Sequence, residues 1–234
     1  MNKTSIEWCD CTYNPVTGCW HWKNGICKIP CYAKKITERF RGSKAWPNGF
    51  EPTFHPDRLN DPQKEKKPKS IFVCSMADLF GDWVPDEWIT RVFDACLKAQ
   101  WHTYIFLTKN PKRYLTIPGE YLGKKNHWFG TTITNQHDAS QRLFDIQRLP
   151  EGNTFISFEP LLGSIGVVLP MHLTGIKQVI IGAQTNPTVI PDQFWIAEIE
   201  QEADRAGAKV FCKDSLASIP DTMFRRELCW QVRK

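Results

Sequence analysis

At 234 residues, with 41% hydrophobic and 24% charged side chains, the chain is long enough for one large domain, and its composition excludes a fibrous or disordered class. Ten Trp and fourteen Phe can build a sizeable core, while no run approaches the ~18 apolar residues of a membrane span. The formal net charge of +5 is uneven: residues 34–69 hold ten Lys/Arg against five Asp/Glu.

In chain order, the opening "MNKTSIEWCD" lacks the apolar run of a signal peptide, which predicts a cytoplasmic protein. "SIEWC" is a candidate first strand, and a cysteine loop follows over residues 9–33, with a helix starting near Cys31. Residues 42–69 are rich in Pro, Gly and charge and show no apolar period, so they read as a long connection. The basic segment from Lys34 to Lys69 is expected either to contact nucleic acid or to be a solvated face. From Ser70 onward, short apolar runs at 70–76, 103–108, 127–133, 154–158, 178–183 and 208–213 read as buried parallel strands. Between them lie helical patterns: "DEWITRVFDACLKAQ", "NQHDASQRLFDIQRL" and "DQFWIAEIEQEADRAG", the last closed by Gly207. Asp86 and Asp192 each follow a proline where they can cap a helix.

Strand–helix alternation at this rhythm predicts an α/β fold with parallel strands. Every strand hands over to polar groups at its C-terminal end: Ser75 and Asp78, Thr108 and Lys109, Thr132, Glu159, Gln184, then Lys213. A (β/α) barrel assembles its site from many strand ends, whereas an open sheet gathers it at one switch point, usually beside a Gly-rich loop. Neither GxGxxG nor GxxxxGK[ST] is present, so a partial TIM-like barrel of about six to seven parallel strands, in one domain over 1–234, is expected.

Five of the nine cysteines lie in the first 31 residues. In a reducing compartment, clustered cysteines point to metal ligation or catalysis. Cys19, Cys27 and Cys31 are spaced C-x7-C-x3-C. A structural zinc site completed by Cys9, Cys11 or His21 is one reading, although zinc usually takes paired CxxC knuckles. A [4Fe–4S] cube on three thiolates, with one iron left open, is the other. The scattered Cys74, Cys96, Cys212 and Cys229 read as small buried hydrophobes.

The segments "IEWCDCTYNPVTGC", "CYAKK", "FVCSMADLFGDWVPDEWI", "HTYIFLTKNPKR", "FGTTITNQ", "FISFEPLLG" and "VIIGAQTNP" carry a resemblance spanning most of the chain. The sequence resembles the radical S-adenosylmethionine superfamily, and most closely the phage and bacterial three-Cys-motif family of unknown function. The resemblance implies a [4Fe–4S] cluster on Cys19, Cys27 and Cys31, with S-adenosylmethionine on the fourth iron. It implies an enzyme that generates a 5′-deoxyadenosyl radical, supplied with electrons by a reductant protein. The superfamily spacing is C-x3-C-x2-C with an aromatic before the last cysteine; here both gaps are longer, Pro30 holds the aromatic's place and Tyr32 follows. Either Cys9 or Cys11 could therefore replace a motif cysteine. By position, Tyr32, Ser75, Met76, Asp78, Thr108, Thr132 and Gln184 are the candidate cofactor-binding residues, and Glu159 and Lys213 the candidate catalytic ones. The substrate is left open, with nucleic acid favoured by the basic segment. The competing expectation is a zinc-stabilised nucleic-acid-binding protein without catalysis, stacking bases on Trp46, Phe50 and Phe54.

Overall fold

Near-continuous apolar runs become parallel strands in the computed structural model, which describes residues 1–27, 30–149, 152–166, 172–219 and 224–231. Lys28 and Ile29 of the cysteine loop lie outside them. The chain divides into two units, one within Met1–Arg113 and one within Tyr114–Gln231.

The first unit contains β1 (Asn2–Lys3), β2 (Cys11–Tyr13), β3 (Val16–Thr17), α1 (Tyr32–Arg39), β4 (Thr53–Phe54), α2 (Asp61–Lys64), β5 (Ser70–Val73), α3 (Asp86–Leu97) and β6 (Thr103–Thr108). Strand β2 pairs antiparallel with β1 and parallel with β5, with Cys11 opposite Ile71, and β5 pairs parallel with β6. β3 and β4 form a separate antiparallel pair. Phe80, Phe93 and Phe106 pack ring against ring at 4.9–6.3 Å between centroids, fastening α3 to β6. Aromatic pairs at such spacing contribute beyond their buried area.

The second unit contains α4 (Gly119–Leu122), β7 (His127–Thr132), α5 (Gln136–Gln147), β8 (Asn153–Phe158), β9 (Gln178–Ile181), β10 (Gln184–Thr185), β11 (Thr188–Val189), α6 (Gln193–Ala206) and β12 (Lys209–Cys212). Here β7, β8, β9 and β12 pair in parallel in that order, and β10 and β11 form a hairpin. Asp192 caps α6 by accepting from the Phe194 N–H at 2.8 Å, and Gly207 closes the helix at φ 69°. The fold is thus mixed α/β with mostly parallel strands.

Several expectations are corrected. "SIEWC" is not a strand; pairing with β5 begins at Cys11, because the Asp10 carboxylate accepts from the Ser70 N–H at 2.7 Å and fixes the register there. Asp86 does not cap α3: Pro85 holds that position and Asp86 pairs with Arg113 at 2.6 Å. Residues 42–69 are not a plain loop, since β4, α2 and a 3₁₀ turn at Pro56–Arg58 lie within them. Phe50 is buried against Ala33 and Met76, and Trp46 packs on the same cluster. Phe54 stacks on Trp88 at 5.4 Å. Phe50 is therefore committed to the core, while Trp46 and Phe54 remain part-exposed. Cys74, Cys96 and Cys212 are buried as expected; Cys229 is only half-buried. Among the described residues, no helix is long and apolar enough to cross a membrane.

One consequence concerns acid stability. His127, fully buried at the start of β7, donates from Nδ1 to the Tyr121 carbonyl at 2.9 Å, and burial lowers its pKa from 6.5 to about 4. Between those values the unfolded chain binds the extra proton, so this stability is intact above 6.5 and drains away as the pH falls toward 4. We expect a loss of roughly 2 kcal/mol at about pH 5 relative to about pH 7.5. His127→Gln should lose less between these two pH values in thermal melts; an identical acid slope in the variant would refute the assignment.

Candidate functional site

The cysteine loop is set by backbone contacts in the first unit. Gly18, at φ 83°, donates its N–H to the Met76 carbonyl at 3.0 Å, and Cys19 donates to the Phe50 carbonyl at 3.1 Å. The loop then folds on His21, whose carbonyl accepts the N–H groups of Ile26 at 3.0 Å and Cys27 at 3.3 Å. Cys31 is the N-cap residue of α1, in extended conformation. Cys19 and Cys31 both pack against the Ala33–Phe50–Met76 cluster, and Cys27 lies within electrostatic reach of both Cys19 and Cys31.

Behind the loop stands Asp78, buried and fully engaged. Its carboxylate accepts from the His21 ring Nε2 at 2.6 Å, the Thr108 hydroxyl at 2.7 Å, the Lys109 N–H at 2.9 Å and the Phe80 N–H at 3.0 Å. Burial alone would raise its pKa; the hydrogen bonds and the electrostatics of His21 outweigh that and hold it below the ordinary value. The Cys19 thiol is pushed up to about 12, first by burial and then by Asp78, against the His21 N–H that it accepts. Burial raises Cys27 too, opposed by the Lys109 ammonium that hydrogen-bonds its sulfur.

The other predicted residues of this unit meet at the end of β5. Tyr32 donates its hydroxyl to the Ser75 carbonyl at 2.5 Å, and Met76 packs beside Cys19 and Cys31. Cys74 sits at φ 60°, a left-handed conformation costly for a side chain, and turns the chain after β5. Asn14, which sequence reasoning missed, accepts the Ser75 hydroxyl at 3.2 Å and the Met76 N–H at 3.0 Å. Its place in "YNP" carries the only sequence hint, an Asn able to mimic a turn. His21 stands out in the sequence solely as a possible zinc ligand.

In the second unit, Glu159 and Lys213 form an ion pair. Gly182 makes room for it: a Cβ there would lie 3.1 Å from carbons of both side chains. Thr132 is buried at the end of β7, where its carbonyl accepts from Arg142 at 2.7 Å. Gln184 opens the β10–β11 hairpin and donates to the Pro187 carbonyl at 2.8 Å.

Do these residues fit a bound metal group? Among the described residues, no three His, Cys, Asp or Glu side chains close around a single ion. The donor chemistry nevertheless suits a soft, thiolate-held centre: all three cysteines are free, Cys19 and Cys31 pack on one buried cluster, and Cys27 lies within electrostatic reach of both. His21 Nδ1 is also buried without a hydrogen-bond partner among the described residues. A buried orphan of this kind calls for an explanation, and a bound group accepting or donating hydrogen bonds within the loop is one.

A family model described as "Protein of unknown function (DUF5131)" matches residues 3–228. Among solved structures, "Spore photoproduct lyase complexed with dinucleoside spore photoproduct" aligns at 12% identity with a TM-score of 0.52. The alignment covers 88% of this chain and 64% of that chain, so the likeness is one of fold and the chain spans less than two thirds of its neighbour. No curated protein matches the chain in sequence.

Proposed function

We propose a function from the premise that this chain belongs to the family described as "Protein of unknown function (DUF5131)": it is a radical S-adenosylmethionine enzyme with a partial (β/α) barrel and a [4Fe–4S] cluster on Cys19, Cys27 and Cys31. The observation that carries this reading is the packing of the free thiols Cys19 and Cys31 beside Met76 with Cys27 within electrostatic reach of both, on a loop with an orphaned buried histidine nitrogen. When bound, the reduced cluster and S-adenosylmethionine supply a 5′-deoxyadenosyl radical that takes a hydrogen atom from the substrate. A reductant protein supplies the electron.

The chain's own residues prepare and shield that chemistry. The raised thiol of Cys19 keeps its proton until metal displaces it, and Lys109 favours the thiolate at Cys27. Tyr32, Ser75 and Met76 border the thiols and serve the cofactor, with Thr132 and Gln184 as further cofactor contacts. Glu159 and Lys213 act on the substrate side, exchanging their mutual ion pair for hydrogen bonds to ligand. A nucleic-acid substrate is favoured by the excess of cations over residues 34–69 and by the dinucleoside with which the fold neighbour is complexed.

Anaerobic reconstitution with iron and sulfide, followed by an assay for reductive cleavage of S-adenosylmethionine, tests the reading. A brown protein that releases 5′-deoxyadenosine supports it; a colourless protein that retains zinc supports the binding-protein reading instead. With activity in hand, Glu159→Gln keeps the side-chain shape and removes the charge. Turnover is expected to fall tenfold or more, about 1.4 kcal/mol of transition-state stabilisation, with cluster content unchanged. Unchanged turnover would reduce the Glu159–Lys213 pair to a strut between strand ends.

A further inference from the structure

The geometry points to His21 and Asp78 as positioning residues that clasp the cysteine loop in the shape that receives metal, a role beyond the cofactor contact expected of Asp78. The inference rests on the reading of Cys19, Cys27 and Cys31 as cluster ligands, but the clasp itself is defined by contacts within the polypeptide.

His21 is the hub of the loop. Its N–H is accepted by the Cys19 sulfur, and its carbonyl accepts the N–H of Cys27. One residue therefore holds the sulfur of one ligand and the backbone of another. Its ring anchors that hub to the fold through Nε2, 2.6 Å from an Asp78 carboxylate 57 residues away. The edge-to-face contact with Trp83, at 4.8 Å and 81°, holds the ring plane. Both partners are almost wholly buried, His21 at 3% exposure and Asp78 at 6%, so water does not compete for the bond. Asp78 is itself immobilised by Thr108 and the backbone of Lys109 at the end of β6. Strand β6 thus orients the loop through two side chains. Because all four oxygen lone-pair directions of Asp78 are engaged within the protein, it has little capacity left for a cofactor.

The test uses the full chain. Limited trypsin digestion of the metal-free protein reads cleavage after the exposed Lys23, and chelator extraction of reconstituted protein reads iron retention. His21→Ala is expected to speed both at least tenfold, with far-UV circular dichroism unchanged. His21→Gln, whose Nε2 reaches the same carboxylate, should restore both to within about threefold of wild type, whereas the shorter His21→Asn should not. Asp78→Asn, which puts a donor where four donors converge, should resemble His21→Ala. Wild-type rates in His21→Ala, or equal rescue by Asn and Gln, overturn the clasp. Should wild-type protein take up no cluster, the proposed function fails while the proteolysis arm still decides the clasp.

Discussion

On the proposed function, replacing Cys19, Cys27 or Cys31 by alanine is expected to abolish cluster assembly, each variant falling from about four irons per chain to less than about a tenth of that after anaerobic reconstitution. A cube that already leaves one iron open to a cofactor has no spare ligand, so loss of one thiolate is not graded. S-adenosylmethionine cleavage should vanish with the iron. The contrasting pair is Cys9→Ala and Cys11→Ala. Cys9 is fully buried, and Cys11 belongs to β2, where burial lifts its thiol to about 11. Removing either should change stability by ordinary cavity amounts, about 1–2 kcal/mol, and leave iron content intact. Loss of iron in either variant, with retention in one of the first three, would transfer that ligand position upstream.

The second large effect is expected at Gly18→Ala. The residue lies at φ 83°, and a Cβ there would stand 2.3 Å from the Glu51 carbonyl oxygen, a backbone atom without a side chain's freedom to yield. Left-handed conformation alone costs an alanine roughly 1 kcal/mol. Relieving the clash must also lengthen the bonds from Gly18 to Met76 and from Cys19 to Phe50. Together these predict a destabilisation of about 3 kcal/mol and a melting temperature lower by roughly 10 °C for a chain of this size. Because Cys19 is the next residue, iron uptake should fall as well. A variant that melts with wild type and fills normally with iron would show that the turn at Gly18 is soft.

Legibility followed the range of the interactions. The runs that became β6, β8 and β12 were readable because a strand buried on both faces is apolar at nearly every position. Strand β2, "CTY", was not: its pairing is set by Asp10 and Ser70, 60 residues apart, and no local pattern announces such a bond. The middle of residues 42–69, which carries β4, looked like loop for the same reason. Phe50 is drawn into the core partly by its N–H bond to the Glu38 carboxylate at 3.1 Å, which composition does not reveal. At the site, cysteine spacing singled out the three thiols, and strand-end position singled out Asp78, Glu159 and Lys213, the last two of which form an ion pair. What holds the loop was hidden, because His21 and Asp78 meet only after folding, and a single buried histidine is more often a core residue than a functional one.

Tyr32 gives the protein a reporter of its own. Of five tyrosines, Tyr13, Tyr104, Tyr114 and Tyr121 are buried, whereas Tyr32 is 57% exposed. A phenol-selective label added to the folded chain therefore marks essentially one address. That address adjoins Cys31 and touches the turn after β5 through the Ser75 carbonyl. Labelling speed at Tyr32 is expected to follow loop order, with no engineered cysteine to compete with the native thiols.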